Sequence, residues 1–465
     1  MARITLINPK SADMDWGAGR LPRSMEEAQL RHSLTQISAV LKRAGHDVRL
    51  LDLRVLSGWE EFEARVLEQE PDFACVTAHT CEAETALECV ARLKALLPRT
   101  VTVAGGIHFT MFPTEALGGG VDFVIRGEGE ISLPELIQQP HANSQVLWGT
   151  PPELDSLPFE DRKLYPDYRR RIHFPVWDLP TPIVDLLTGR GCPWQCRFCC
   201  GPGEQNLFTR PSEHRPEERR PFLRRRSVDH VMAELAELHG DCRLGGIIFH
   251  DDQFLIQQEW TEEFCRRMVT VGYPRSGVRW WAACRSDMIC RFPEQVRRMK
   301  SAGLKIISIG FESFSDPLLQ WMQKGSSAAT HMQAAEICRD IGIDLYANVM
   351  FGLPRSDGEW RWEDDLATFE ALDKINPKYF SPSYFSPIPG SWFFEWAQQK
   401  GLMTGSEGRR NPDGNRIRGV DYARIGQLLV LYQRRFAHPR YDRLRRYGYR
   451  ARMLLERLTR GTASR

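Results

Sequence analysis

The tightest constraint on this chain is a rhythm. Short apolar runs alternate with amphipathic stretches, first over residues 1–140 and again from about 185, with a break between. In the first series the candidate strands are Arg3–Asn8, Val48–Asp52, Asp72–Ala78, Thr100–Gly105 and Asp122–Arg126. Helical patterns lie between them, among them Glu26–Ala44, with Leu30, Leu34, Ile37 and Leu41 three and four residues apart, and Glu82–Leu97. Strands joined by helices of this length predict an α/β unit with a doubly wound parallel sheet, flavodoxin-like in strand order. Its ligands are expected at the carboxyl ends of the strands.

Residues 141–184 lose the rhythm and are rich in Pro and mixed charge, which reads as a linker. Residues 185–400 resume it. Strand candidates are Ile183–Leu187, Gly246–Phe249, Arg279–Ala283, Lys305–Ile309, Asp344–Val349 and Tyr379–Tyr384. Six such repeats predict a partial (β/α)6 barrel, three-quarters of a TIM barrel, with its chemistry at the C-terminal strand ends. The basic, Pro-rich stretch Gly201–Arg226 reads as an insertion forming a surface lid. Residues 401–465 form a basic extension, helical in pattern, with eleven Arg between Arg434 and Arg465 against Asp442 and Glu456. A solvated helix face is the simpler reading of that charge, and contact with an acidic partner or membrane surface the alternative.

At 465 residues the chain exceeds one ordinary core, in keeping with two units. Lys plus Arg (62) balances Asp plus Glu (60), so no global field marks a nucleic-acid binder. No apolar run is long enough to span a membrane, and the first residues lack a signal-peptide layout, so a cytoplasmic location is expected.

Twelve cysteines then need a reason, because a reducing compartment disfavours a disulfide framework. Cys75, Cys81, Cys89, Cys242, Cys265, Cys284, Cys290 and Cys338 are dispersed and read as small buried apolar groups. The other four fall in Gly189-Arg-Gly-Cys192-Pro-Trp-Gln-Cys196-Arg-Phe-Cys199-Cys200, straight after a strand. Cys192, Cys196 and Cys199, spaced C-x3-C-x2-C, can hold three corners of a [4Fe–4S] cluster. The fourth iron is then open, as reactive metal centres require. A structural zinc site needs a fourth ligand, which Cys200 could supply only awkwardly beside Cys199, and C-x3-C-x3-C through Cys200 is formally possible.

The cysteine loop, with Phe198 just before its third Cys, resembles the signature of the radical S-adenosylmethionine (SAM) superfamily. Other segments resemble later barrel strands of that family: Ile247–Phe254 with Asp251 and Asp252, Trp281–Arg285, Ile309–Ser313, Met350–Pro354 and Ser386–Gly390. The resemblance implies that Phe198, Asp251, Asp252, Arg285 and Glu312 approach SAM. As ordinary structure, Arg285 and Glu312 could be an interstrand ion pair, and the two Asp could cap a helix.

The first unit resembles the cobalamin-binding domain that precedes the barrel in one radical SAM subgroup, which includes methyltransferases and anaerobic Mg-protoporphyrin ester cyclases. Gly105–Thr110, Val124–Glu130 and the linker Leu154–Pro158 carry that likeness. It implies that Asn8, Thr77, His79, Gly105, Gly106, His108, Arg126, Gly127 and Glu128 line a cobalamin site. Gly105 and Gly106 would let a flat macrocycle or its nucleotide tail lie against backbone. One departure stands out: the stretch Pro9–Ser24 has no His to ligate cobalt from below.

The resemblance implies reductive cleavage of SAM to a 5′-deoxyadenosyl radical and methylation of an unactivated carbon or phosphinate of a small-molecule substrate. The electron would come from flavodoxin or ferredoxin. A radical cyclase or rrearrangement enzyme without net methyl transfer is the alternative, with Trp194, Trp280, Trp281 and Trp321 as candidates to line a flat pocket. A non-enzymatic iron–sulfur protein is the remote one.

Overall fold

A computed structural model describes residues 1–11, 14–16, 28–140, 144–203, 223–404, 416–437, 448–449 and 451–455. Most of the insertion read as a lid, and about half of the basic tail, lie outside the described residues.

The first unit runs β1 (Arg3–Asn8), α1 (His32–Arg43), β2 (Asp47–Asp52), α2 (Trp59–Gln69), β3 (Phe73–Thr77), α3 (Ala83–Leu96), β4 (Val101–Gly105), α4 (Gly106–Met111), α5 (Pro113–Gly118), β5 (Phe123–Arg126), α6 (Ser132–Gln138) and β6 (Val146–Trp148). Its sheet is parallel with order β2-β1-β3-β4-β5-β6, the flavodoxin-like order expected. Strand β6 falls inside the stretch read as linker and adds a sixth strand. With three half-exposed residues, it is too short to carry an alternation signal.

After α7 (Tyr168–Arg171), the second unit opens with β7 (Ile183–Leu186) and β8 (Gly189–Arg190); β9 (Arg224–Arg225) pairs back on β8. There follow α8 (Val228–Cys242), β10 (Gly246–Phe249), α9 (Gln258–Val271), β11 (Arg279–Ala283), α10 (Ser286–Arg291), α11 (Pro293–Ser301), β12 (Leu304–Glu312), α12 (Asp316–Trp321), α13 (Ala328–Ile341), β13 (Asp344–Phe351), α14 (Trp362–Ile375), β14 (Tyr379–Tyr384), α15 (Trp392–Gln399) and α16 (Tyr422–Ala437). Six parallel strands stand in chain order, β7-β10-β11-β12-β13-β14, as the partial barrel requires.

Strand alternation sorts the residues. Leu186, Ile247, Phe249, Trp280, Ile307, Ile309, Val349 and Phe351 pack under the outer helices. Ile183, Ile248, Trp281, Ile306, Tyr346 and Tyr379 face the barrel interior, where the linker plugs the bottom with Val176, Trp177 and Leu179. Trp177, in left-handed backbone at φ 49°, stacks on Trp281 at 5.6 Å and meets Tyr346 edge-on at 5.2 Å. The four Trp expected to line one pocket are therefore scattered. Trp280 is wholly buried outside the barrel and donates to the Ala302 carbonyl, Trp194 lies under Arg285, and Trp321 packs against α15. Of the dispersed cysteines, Cys75, Cys89, Cys265, Cys284 and Cys338 are buried, while Cys81, Cys242 and Cys290 are half-buried. No helix among the described residues is long and apolar enough to cross a membrane.

Candidate functional site

The cysteine loop leaves the end of β7 and is pinned at three points. At its start, Thr188 donates its backbone N–H (2.6 Å) and its hydroxyl to the buried Asp251 carboxylate after β10. Arg225 closes that contact, 3.5 Å from Asp251 and stacked 3.6 Å over Trp260. In the middle, Arg285 from the end of β11 points an N–H at Cys196 Sγ (3.7 Å), lies over Trp194, and donates to Asp287 and to the Lys324 carbonyl. Near its end, Arg197 is sandwiched between Trp321 and Trp392, and its N–H meets the Met322 carbonyl.

All three thiols are free of disulfides, and two of the sulfurs face N–H donors, Cys196 from Arg285 and Cys199 from Gly201. The hydrogen bond from Cys200, aided by the Gly201 N–H at 3.3 Å, draws Cys199 down to about 7 against the effect of burial. Burial pushes Cys192 up to about 11. Cys200 thus stands as a hydrogen-bonding neighbour of Cys199. A set of soft thiol donors met by N–H groups fits an iron–sulfur cluster.

Around the loop, Phe198 lies beneath the Lys324 ammonium (5.4 Å), and that ammonium donates to Glu312 at 3.2 Å. Glu312 is in left-handed backbone at φ 64°, at a register shift in β12, and its carboxylate folds back over Gly310. A Cβ at Gly310 would stand 2.4 Å from Glu312 Oε1, so the glycine is what admits this carboxylate. Arg285 and Glu312 are not paired with each other: Lys324 stands between them and engages both. No spacing pattern singles out Lys324, which sits in an irregular turn after α12. Asp251 is held by Thr188 and Arg225, and burial raises its pKa, so it braces the loop. Asp252, next to it, is exposed and borders a small recess with Gly191, Arg225 and Gln253.

A cavity of about 310 Å³ lies where the two units meet. The first sheet contributes its strand ends, with Leu6, Thr77, Gly105, Gly106, Ile125, Gly127 and Glu128, and the second unit contributes Leu187, Gly189, Arg190, Arg226 and Glu234. It thus runs from the edge expected to bind ligand to the residues just before Cys192. Glu128 and Glu130 grip Arg190 (3.2 and 2.6 Å), and Glu128 also pairs with Arg224. The linker residues Leu154, Leu157 and Pro158 form another wall.

Gly106 does not leave room for a ligand in the way expected. At φ +86°, its missing Cβ would lie 2.9 Å from the Ala78 nitrogen and 2.4 Å from Thr77 Oγ1, so the fold itself fills that space. Gly105, nearest to the Ile125 carbonyl at 3.7 Å, does leave its cavity side open.

Four predicted residues fall outside the cavity. Asn8 is wholly buried between Asp52 and Arg31, and His79 is exposed, bonded to Arg31. His108 is buried, hydrogen-bonded to Thr80 and Glu115 and edge-on to Phe109. Arg126 lies over Trp148 and donates to the Thr110 carbonyl. Asn8 and Arg126 end strands, and His79 and His108 follow strand ends, yet each is held by its own neighbours. The cavity's His32, Glu160 and Glu234 were not legible, because they come from the linker and from helix positions that carry no motif. His32 bonds to Glu160 at 2.9 Å; burial disfavours its imidazolium, but that carboxylate outweighs burial and raises the His32 pKa.

The apolar walls and the glycine-bearing strand ends suit part of a cobalamin. Comparison with known proteins agrees. Residues 32–137 match the B12 binding domain family, and residues 186–366 match the Radical SAM superfamily. The chain is 27% identical over 391 residues to hopanoid C-3 methylase of Methylococcus capsulatus, covering 78% of this chain and 68% of the relative. It is 25% identical over 386 residues to anaerobic magnesium-protoporphyrin IX monomethyl ester cyclase of Cereibacter sphaeroides, covering 76% and 58%. Among solved structures, the fold resembles the radical SAM methyltransferase TsrM from Kitasatospora setae, solved with cobalamin and a [4Fe–4S] cluster (TM-score 0.60, 17% identity, 87% and 76% covered). It also resembles the cobalamin-dependent SAM radical enzyme OxsB (TM-score 0.67, 14% identity, 90% and 64% covered).

Proposed function

We propose that this chain, a radical SAM enzyme with a B12 binding domain ahead of its barrel, methylates an unactivated carbon, or a phosphinate, of a small biosynthetic intermediate. One observation carries the reading: a single cavity is bounded by the strand ends of the first sheet and by the residues leading into Cys192. When bound, the cluster and cobalamin supply reductive scission of SAM to a 5′-deoxyadenosyl radical and a methyl carrier.

The residues divide the remaining work. Cys192, Cys196 and Cys199 hold three irons, and the N–H groups of Arg285 and Gly201 stabilise thiolate charge on Cys196 and Cys199. Glu312, oriented by Lys324 beside Phe198, presents a carboxylate to the SAM ribose hydroxyls. Arg285 and Asp252 flank the same region, and Asp251 acts through the loop it braces. Thr77, Gly105, Gly127 and Glu128 receive cobalamin, while Gly106 shapes the strand end and Asn8, His79, His108 and Arg126 buttress it from outside. The plugged barrel bottom shields the reacting groups from water and oxygen on that side. The electron comes from a small carrier such as flavodoxin or ferredoxin, in the cytoplasm.

The cyclase relatives support a second reading, radical ring formation or rearrangement without methyl transfer. Anaerobic turnover of the reconstituted enzyme with SAM, reductant and cobalamin separates the two. The methyltransferase reading expects S-adenosylhomocysteine to accumulate beside 5′-deoxyadenosine. 5′-Deoxyadenosine alone favours the cyclase reading, and neither product refutes both.

A further inference from the structure

The barrel interior carries a His–carboxylate pair that nothing above uses. The geometry points to Asp185 and His250 as the group that selects the substrate, an uncharged, ring-bearing, largely apolar molecule presenting a hydroxyl. This deepens the proposed function and rests on it.

Asp185 lies two residues past Ile183 on β7, and His250 two past Ile248 at the end of β10, so both project to the same interior face. His250 Nε2 is 2.8 Å from Asp185 Oδ1, and both side chains remain partly accessible. That bond fixes the ring and leaves Nδ1 for a ligand. The groups facing His250 are few. Trp281 is 6.2 Å away, and His32, which lines the cavity between the units and bonds to Glu160, comes within 5.3 Å. His250 therefore stands at the junction of the barrel interior and the cavity assigned to cobalamin, where a methyl group would have to pass.

The surroundings set the ligand class. Below the pair lies the aromatic floor of Trp177, Trp281 and Tyr346. Across from it are neutral polar groups: Ser308 and Asn348, two residues past Ile306 and Tyr346, are joined by a 2.8 Å hydrogen bond. The interior strand positions above the floor, up to Ala283, Gly310 and Met350, carry no Lys or Arg; Arg285, just past β11, and Lys324, in the turn after α12, are held by Asp287 and Glu312, and Asp185 is acidic. A phosphate or carboxylate on the substrate has no cation to meet there. A flat or fused ring can lie on the floor, and a hydroxyl can bond His250.

The probes are 2-naphthol, naphthalene and 2-naphthoate, measured by saturation-transfer NMR on the anaerobically reconstituted holoenzyme. The expected result is that 2-naphthol binds at least tenfold more tightly than 2-naphthoate. His250→Ala and the near-isosteric Asp185→Asn should each weaken 2-naphthol about fivefold while leaving naphthalene within twofold. Trp281→Ala should weaken both 2-naphthol and naphthalene. A purely structural role for the pair would weaken 2-naphthol and naphthalene together and so overturns the proposal, as does a preference for the naphthoate or no binding of 2-naphthol to the wild type. Wild-type production of 5′-deoxyadenosine, run in parallel, reports on the underlying enzyme reading: an enzyme that cleaves SAM but lacks this selectivity refutes the pocket alone.

Discussion

Replacing Asp251 by Asn tests whether the cysteine loop is held by a buried charge. In the native structure, Asp251 accepts two hydrogen bonds from Thr188 and faces Arg225, and the two charged side chains are 4% and 6% exposed. Burial already depresses the Arg225 pKa to about 10, which shows how poorly that cation is solvated. An Asn keeps the shape and one acceptor but strands Arg225. Breaking a buried pair costs about 3–5 kcal/mol, and the retained hydrogen bond reduces this to about 2–4 kcal/mol. For a unit of this size that is a drop in melting temperature of about 5–15 °C. Arg225→Met, which keeps an apolar stem over Trp260, removes the stranded cation. The double variant should therefore recover about 1–2 kcal/mol relative to the sum of the single changes. Calorimetry of the four proteins, with iron content measured on the same samples, provides the cycle. Additive effects, or an Asp251→Asn loss under about 0.5 kcal/mol, would refute the claim that this pair braces the loop.

Three other changes have defined outcomes. Gly106→Ala meets backbone at Ala78 and a positive φ, so it should destabilise the first unit by about 2–4 kcal/mol in denaturant titration; a loss below about 0.5 kcal/mol contradicts the packing described. Gly310→Ala should displace the Glu312 carboxylate and weaken SAM binding about tenfold by equilibrium dialysis while leaving melting within about 3 °C, because only a flexible side-chain end must move. Asp365 is buried and accepts from Gly352 and Trp360, and burial raises its pKa to about 7. Its carboxyl stays protonated in the native state at pH values where the unfolded chain has already ionised. Its contribution to stability therefore declines as pH rises from about 4 to 7. The melting temperature of the wild type relative to Asp365→Asn should fall between pH 5 and pH 7.5; a constant difference contradicts this.

Much of this molecule is legible in its residues, and the failures share a cause. Strand-to-helix alternation gives both sheets in their right order because parallel strands are buried on both faces and stand out as apolar runs. The cysteine loop is legible because three ligands in eight residues need no tertiary contact to be recognised. What escapes is whatever depends on side chains reaching between segments. Lys324 joins Arg285 to Glu312 from a turn with no pattern, and His32 meets His250 across the boundary between the units. His108, in the helix after β4, and Arg126, at the end of β5, sit where a ligand would be expected, but Glu115, Thr80, Thr110 and Trp148 occupy their polar and aromatic capacity first. Position along a strand fixes which end a residue occupies, and only packing decides whether its side chain is free.

The most direct test is iron and sulfide analysis of anaerobically reconstituted protein, comparing the Cys192→Ala/Cys196→Ala/Cys199→Ala triple variant with Cys200→Ala. The wild type and Cys200→Ala should each hold about four irons per chain and release 5′-deoxyadenosine from SAM on reduction, and the triple variant should do neither. Equal iron and equal SAM scission in the triple variant, or loss of both in Cys200→Ala alone, would contradict a cluster held by those three thiolates.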